Sequence, residues 1–133
     1  MVIKISPQNR KKQASLLIKN AKERIKSSKI LLENKLYNDA ISRAYYAFFD
    51  AASSLLVTKG LMAKTHAGII NLFSLHFIKT KDVPVKYIKY FRQAKTAREE
   101  ADYEILRKFS QEETEEIITI AEDFIKFIKN NVL

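Results

Sequence analysis

The chain has 133 residues, 47% of them hydrophobic, a length and composition that supply a real core and exclude global disorder. Only two glycines and two prolines punctuate it, too few for the turns of an all-β or α/β chain, and the absence of cysteine excludes a disulfide framework, a thiol nucleophile and a cysteine zinc site. The net charge of +9 is laid out unevenly: residues 1–36 carry ten basic and two acidic groups, residues 57–98 nine and one, and residues 99–124 two and ten.

Five helices are predicted within a single domain over residues 1–133, and no strand competes with them. Ser6-Pro7 is an N-cap followed by a proline at the first helical turn, and this helix runs to about Glu33. Asn38 is expected to cap a second helix that runs to about Lys59 and stops at Gly60, a natural left-handed residue. Along it Ile41, Ala44, Tyr45, Phe48, Ala52, Leu55 and Leu56 make one apolar face, and Tyr46 and Phe49 a second. A helix apolar on two sides is contacted on two sides, so this one should be largely surrounded. Thr65 caps a third helix reaching about Lys79, with Gly68 inside it, where glycine costs about 1 kcal/mol against alanine and implies a close approach by a backbone or a ligand. Pro84 opens a fourth helix reaching past Asp102. Ser110 with Glu113 forms a capping box before a fifth that ends near the carboxyl terminus. Short connections make neighbours antiparallel, so the fold class is all-α, an up-and-down bundle of about five helices.

The fourth helix places Tyr87, Phe91, Ala94, Arg98, Ala101, Asp102 and Ile105 at spacings of three or four, which sets an arginine on an apolar stripe. Arg98 and Asp102 are four apart and within reach of one another, cation first, the weaker orientation for helix support. Two readings stand: an ion pair tying the helix end to a neighbour, or a guanidinium held for a phosphate, with Asp102 orienting it and Tyr103 lining the site. His66, in the first turn of the third helix, is the better site candidate of the two histidines, because His76 keeps register with Ile69, Leu72, Phe73 and Phe77 and is expected in the core. Arg43 on the second helix is a further candidate phosphate ligand. Two isolated histidines outside any HExxH or Glu-x-x-His pair call for no metal, and without a P-loop or GxGxxG no cofactor is expected. The amino terminus lacks a signal-type stretch and no run approaches a membrane span, so a cytoplasmic protein without membrane contact is expected.

The runs SRAYYAFFDAASSLLVTKGL, KTHAGIINLFSLHFIKT and AREEADYEI, in that order, closely resemble the small stand-alone HEPN domain proteins of archaea and bacteria, over about residues 14–130. The resemblance implies a helical bundle, commonly dimeric, with a nucleotide or nucleic-acid connection. It implies further a toxin-like partner of a minimal nucleotidyltransferase, or a metal-independent ribonuclease whose signature is an arginine, four to six spacer residues and a histidine. Arg98 carries over to the arginine, but residues 99–105 contain no histidine. Tyr103 stands where a four-residue spacer would place it, and Ile105 where some such toxins have a tyrosine that the partner modifies with AMP. Three functions follow as alternatives. The favoured one is a nucleotide- or RNA-phosphate-binding partner protein using Arg98, Asp102, Tyr103, Arg43 and His66. The second is a dimeric ribonuclease toxin with Arg98, Tyr103 and His66 as its active groups. The third is a structural dimer.

Overall fold

The computed structural model describes every residue except Met1, Glu104 and Leu106, and Val2–Lys4 by backbone alone. In chain order it comprises β1 (Val2–Lys4), α1 (Pro7–Glu33), α2 (Tyr37–Thr58), β2 (Leu61–Ala63), α3 (His66–Phe73), a π-helical stretch (Ser74–Ile78), α4 (Lys86–Ala101) and α5 (Gln111–Asn131). The five expected helices form an all-α bundle. The expectation of no strand is corrected by a short antiparallel ribbon in which Val2 pairs with Ala63, Ile3 with Met62 and Lys4 with Leu61. Three-residue strands are too short to show a period-two pattern.

The bundle is built around α2, which packs against α1, α3, α4 and α5. Alanines set the spacing: Ala14 and Ala21 of α1 and Ala40, Ala44, Ala47 and Ala51 of α2 are all fully buried, which lets the backbones come close. On the other side of α2 an aromatic layer fills the core. Phe48 stacks on Phe124 of α5 at 4.3 Å between ring centroids and packs on Phe91 of α4 at 5.0 Å, with Phe73 of α3 closing the group. α2 is thus surrounded as its two apolar faces predict, except for one narrow strip. Of its residues between Asn38 and Phe49 only Asn38, Asp39, Ser42, Arg43, Tyr46 and Phe49 are not buried.

The punctuation residues do most of what they announce. Ser110 accepts from the Glu113 backbone while the Glu113 carboxylate accepts from the Ser110 backbone, completing the capping box. Arg107 clasps the same carboxylate at 2.6 Å, and together these donors hold Glu113 down to about 2. Gly60 ends α2 with φ of +74°, and the Arg10 guanidinium packs flat against the space a side chain would need. Ser6 stands at the N-cap of α1 but makes no side-chain cap bond, its hydroxyl accepting from Asn9 Nδ2 at 3.1 Å, and Asn38 departs further. α2 begins one residue before it, without a side-chain cap, because its amide is employed elsewhere. Asn38 Nδ2 donates to the Ala101 and Arg107 carbonyls at 3.2 and 2.9 Å, and its Oδ1 accepts from Phe109 N at 3.0 Å. It is a clamp on the α4–α5 connection.

Two helix ends also differ from expectation. The third helix reaches Ile78 only by widening after Phe73, where Lys79 N bonds the Ser74 carbonyl. His76 lies on this wider turn and is half-buried rather than in the core; its carbonyl accepts from Lys59 Nζ and Thr80 Oγ1. α4 starts at Lys86, after a turn in which Tyr87 N bonds the Pro84 carbonyl, and stops at Ala101 with Asp102 as its C-cap.

Candidate functional site

The site is assembled where the start of α3 meets α2 and the end of α4. Thr65 Oγ1 accepts from Gly68 N at 2.9 Å, and this cap makes His66 the first residue of α3. A Cβ on Gly68 would stand 2.9 Å from both Ala63 Cβ and Thr65 Oγ1, so the close approach implied by this glycine is that of β2 and the cap, with no ligand required. The His66 ring then falls among three aromatic residues of α2. It lies nearly parallel to Tyr45 at 5.6 Å, tilted on Phe49 at 4.6 Å and edge-on to Tyr46 at 5.8 Å. The Tyr45 hydroxyl and His66 Nδ1 are hydrogen-bonded at 2.7 Å. Burial of the imidazole, together with the positive charges of Arg98 and Lys95, holds its pKa below the usual 6.5, so His66 is neutral at pH 7. Burial likewise raises the Tyr45 phenol above its ordinary value, and it stays protonated.

Arg98 comes to the same aromatic group from α4. Its stripe neighbours Ala94, Ala97 and Ala101 are buried, which draws the helix against α2 and leaves the Arg98 side chain only 20% exposed. Its guanidinium carbon lies 5.2 Å from the Tyr45 ring centroid and 5.7 Å from that of Tyr46. Nη1 donates to Asp102 Oδ2 at 2.9 Å, and Nε is buried without a hydrogen-bond partner among the described residues. Asp102 belongs to the same helix and is 48% exposed, so this pair does not tie the helix end to a neighbour and contributes a few tenths of a kcal/mol. The guanidinium is oriented by Asp102 and by rings, and it keeps hydrogen-bonding capacity for an anion.

Arg98, Asp102 and His66 therefore converge, joined through Tyr45 and Tyr46. Tyr103 does not enter that cluster. It is 66% exposed, at the wall of an open cleft with Asn38, Asp39, Ser42 and Asp102. Ile105, on the same wall, is 99% exposed. Arg43 is exposed on the next cleft along α2, shared with Arg24, Leu31, Asp39, Ser42 and Tyr46, and no carboxylate pairs with it among the described residues.

Sequence reasoning assigned Tyr45, Tyr46 and Phe49 to the core and passed over Arg24 and Asp50. Asp50 is buried in α2, where its Oδ2 accepts from Arg24 Nε at 2.6 Å and from Asn20 Nδ2 at 3.1 Å. Burial raises its pKa and the Arg24 charge pulls it back. A lone acid in the run AFFDAASSLL was the available signal, because a buried carboxylate demands a donor from a neighbouring helix. Among the described residues no three His, Asp or Glu side chains converge as metal ligands, and no helix is long and apolar enough to cross a membrane.

Matched against protein families, residues 14–131 fit the HEPN domain. The chain belongs to the HEPN family. Among its relatives, the Methanocaldococcus jannaschii protein named "Putative toxin MJ0605" is 42% identical over 119 residues, covering 90% of this chain and 88% of that one. A second protein of the same organism, "Putative toxin MJ0142", is 30% identical across all of this chain and 90% of its own length. A Thermotoga maritima UPF0332 protein is 33% identical over 84% of both chains. In this HEPN chain no histidine follows Arg98 within residues 99–105; His66, on a different helix, lies where the Arg98 charge lowers its pKa.

Proposed function

We propose that this HEPN chain binds a phosphate group of a nucleotide or of RNA at Arg98 and His66. In this reading it acts as a homodimer and as one half of a toxin–antitoxin-type module whose other half is a minimal nucleotidyltransferase. The observation that carries the reading is the Arg98 guanidinium, held over Tyr45 and Tyr46 with half-exposed Asp102 as its one carboxylate partner among the described residues and an imidazole beside it. A guanidinium offers a phosphate two parallel donors. Neutral His66 adds a third, since the tautomer that accepts from the Tyr45 hydroxyl at Nδ1 carries its proton on Nε2. His66 also opens α3, and a helix start favours an anion. The toxin names of two relatives support the module.

The test is anisotropy titration with a labelled 5′-phosphorylated RNA. Affinity should fall steeply with salt, with a slope of about −0.7 per phosphate neutralised on a single strand. Arg98→Ala should weaken binding at least tenfold, and the remote Lys12→Ala little. Equal binding by wild type and Arg98→Ala refutes the site.

The placement of His66 beside Arg98 also favours a second reading, a metal-independent ribonuclease. There the neutral imidazole would act as general base and Arg98 would meet the charge growing on the phosphate, with Tyr103 at the rim. Purified protein is expected to leave RNA intact in EDTA. Chelator-resistant cleavage that disappears in Arg98→Ala and His66→Gln would establish the nuclease instead.

A further inference from the structure

The cleft beyond Arg98 has a composition that a site for one phosphate does not explain. Between Asp39 and Val57, α2 is buried except for the strip of Asp39, Ser42, Arg43, Tyr46 and Phe49, which spans about 15 Å at the helical rise. α4 walls this strip on one side with Ala101 and Asp102, and α1 on the other with Arg24 and Leu31, while Arg98 of α4 lies over Tyr46. Tyr46 stands at its middle, half-buried. Arg24 and Arg98, from opposite walls, place their guanidinium carbons 5.5 and 5.7 Å from the centroid of this one ring. The two guanidinium carbons are therefore less than twice that distance apart, around one aromatic ring.

Arg24 is held there by design of the helix interface. Its Nε donates to Oδ2 of buried Asp50, the oxygen to which Asn20 Nδ2 also donates, so the guanidinium keeps its aim while 29% of its side chain remains exposed. Among the described residues only Nε is engaged, and the two Nη groups make no hydrogen bond. Arg43, which pairs with no carboxylate among the described residues, adds a cation one turn before Tyr46, and Ser42 and Asp39 put a hydroxyl and a carboxylate between the two clefts. A phosphate avoids Asp39, whereas a sugar hydroxyl or an exocyclic amine can donate to it.

Two cations flanking a stacking ring, with hydrogen-bond acceptors between, match a single strand with its phosphates on the arginines and a base on the tyrosine. We infer that the Arg98 site continues over Tyr46 to Arg24 and Arg43, and that its ligand is a single-stranded RNA segment of at least two nucleotides. Tyr46 is the stacking platform, Arg24 the second phosphate ligand and Asp50 the positioning residue behind it. This inference rests on the phosphate-binding reading of Arg98. A second copy of the chain fits the strip less well, because a twofold axis through Tyr46 would set guanidinium against guanidinium.

The experiment compares a 5′-phosphorylated mononucleotide with the 5′-phosphorylated dinucleotide, by calorimetry at low salt, on the full chain. Wild type should bind the dinucleotide at least tenfold more tightly, with a salt slope steeper by about 0.7 for the added phosphate. Arg24→Gln and Tyr46→Ala should bring that ratio close to one, while Tyr46→Phe, which keeps the ring, should preserve it. Because Arg24→Gln leaves Asp50 without its cation, the Arg24→Gln/Asp50→Asn pair is measured as well, and both are checked by thermal melting. A wild-type ratio near one overturns the inference and leaves the Arg98 site standing; no binding of either ligand removes the site itself. The inference is also overturned if Tyr46→Ala or Arg24→Gln lowers the sedimenting mass without changing the ratio, since the strip would then be a contact between copies.

Discussion

Replacing Arg24 by methionine tests the α1–α2 interface at its one buried charge. The substitution keeps most of the packing volume but leaves Asp50 with Asn20 as its remaining donor. Breaking a fully buried ion pair by removing one partner costs about 3–5 kcal/mol. Here the Arg24 side chain is 29% exposed, so water reaches the vacated side, and Asn20 still donates, which brings the expected cost to about 2 kcal/mol. For a chain of this length that is a fall in Tm of about 8 °C. The pH dependence has a definite sign. Burial already raises the Asp50 pKa in the fold, and losing the Arg24 charge raises it further. Stability from such a group is fully present below the unfolded pKa near 3.9 and is lost as pH rises through the folded value. The deficit of Arg24→Met against wild type should therefore be largest near neutrality and shrink on acidification toward pH 4. In a double-mutant cycle, Arg24→Met with Asp50→Asn should recover at least half of the single-mutant loss. Urea titrations at pH 7 and pH 4.5 measure all four corners. A cost below about 0.5 kcal/mol for Arg24→Met, or strict additivity in the cycle, refutes the assignment of Asp50 as a charged group dependent on Arg24.

Asn38→Ala removes three hydrogen bonds that pin the α4–α5 connection, and should cost about 2–3 kcal/mol in urea unfolding; a change under 0.5 kcal/mol would show that the clamp carries no stability. His66 should titrate below 6.5 by NMR and move upward on adding inorganic phosphate, since the bound anion favours the imidazolium. A His66 pKa that phosphate leaves in place would separate the imidazole from the anion. Because the folded pKa is the depressed one, stability should fall as pH drops from 7 through 6.5 and level off below the folded value, and His66→Phe should flatten that decline.

Most of the helices could be read from local chemistry, because their boundaries are set by residues that act within a turn of themselves. Ser110 with Glu113, Thr65, and Gly60 at positive φ are such cases. Asn38 was misread for the complementary reason: an asparagine before an apolar run looks like a cap, and nothing nearby reveals that its amide serves carbonyls 63 and 69 residues away. The ribbon pairing Val2 with Ala63 is equally non-local. Arg98 was legible as a candidate because its register broke an apolar stripe. The ring beneath it was not, since a tyrosine in a core helix looks the same whether its hydroxyl faces apolar side chains or, as for Tyr45, the nitrogen of His66. Arg24 and Asp50 are 26 residues apart on different helices, so the pair could be suspected from the acid alone and its partner could not be named.

The β1–β2 ribbon has a practical consequence. β2 ends at Ala63, two residues before the cap that fixes His66, and β1 pairs along it while α2 and α3 pack against it; Arg10 braces the same corner by donating to the Ile5 carbonyl while lying against Gly60. The first few residues are thus the hinge pin for the imidazole rather than a free end. A purification tag or fusion joined at the amino terminus pulls on that pin, and a protein prepared so can look inert while its bundle is intact.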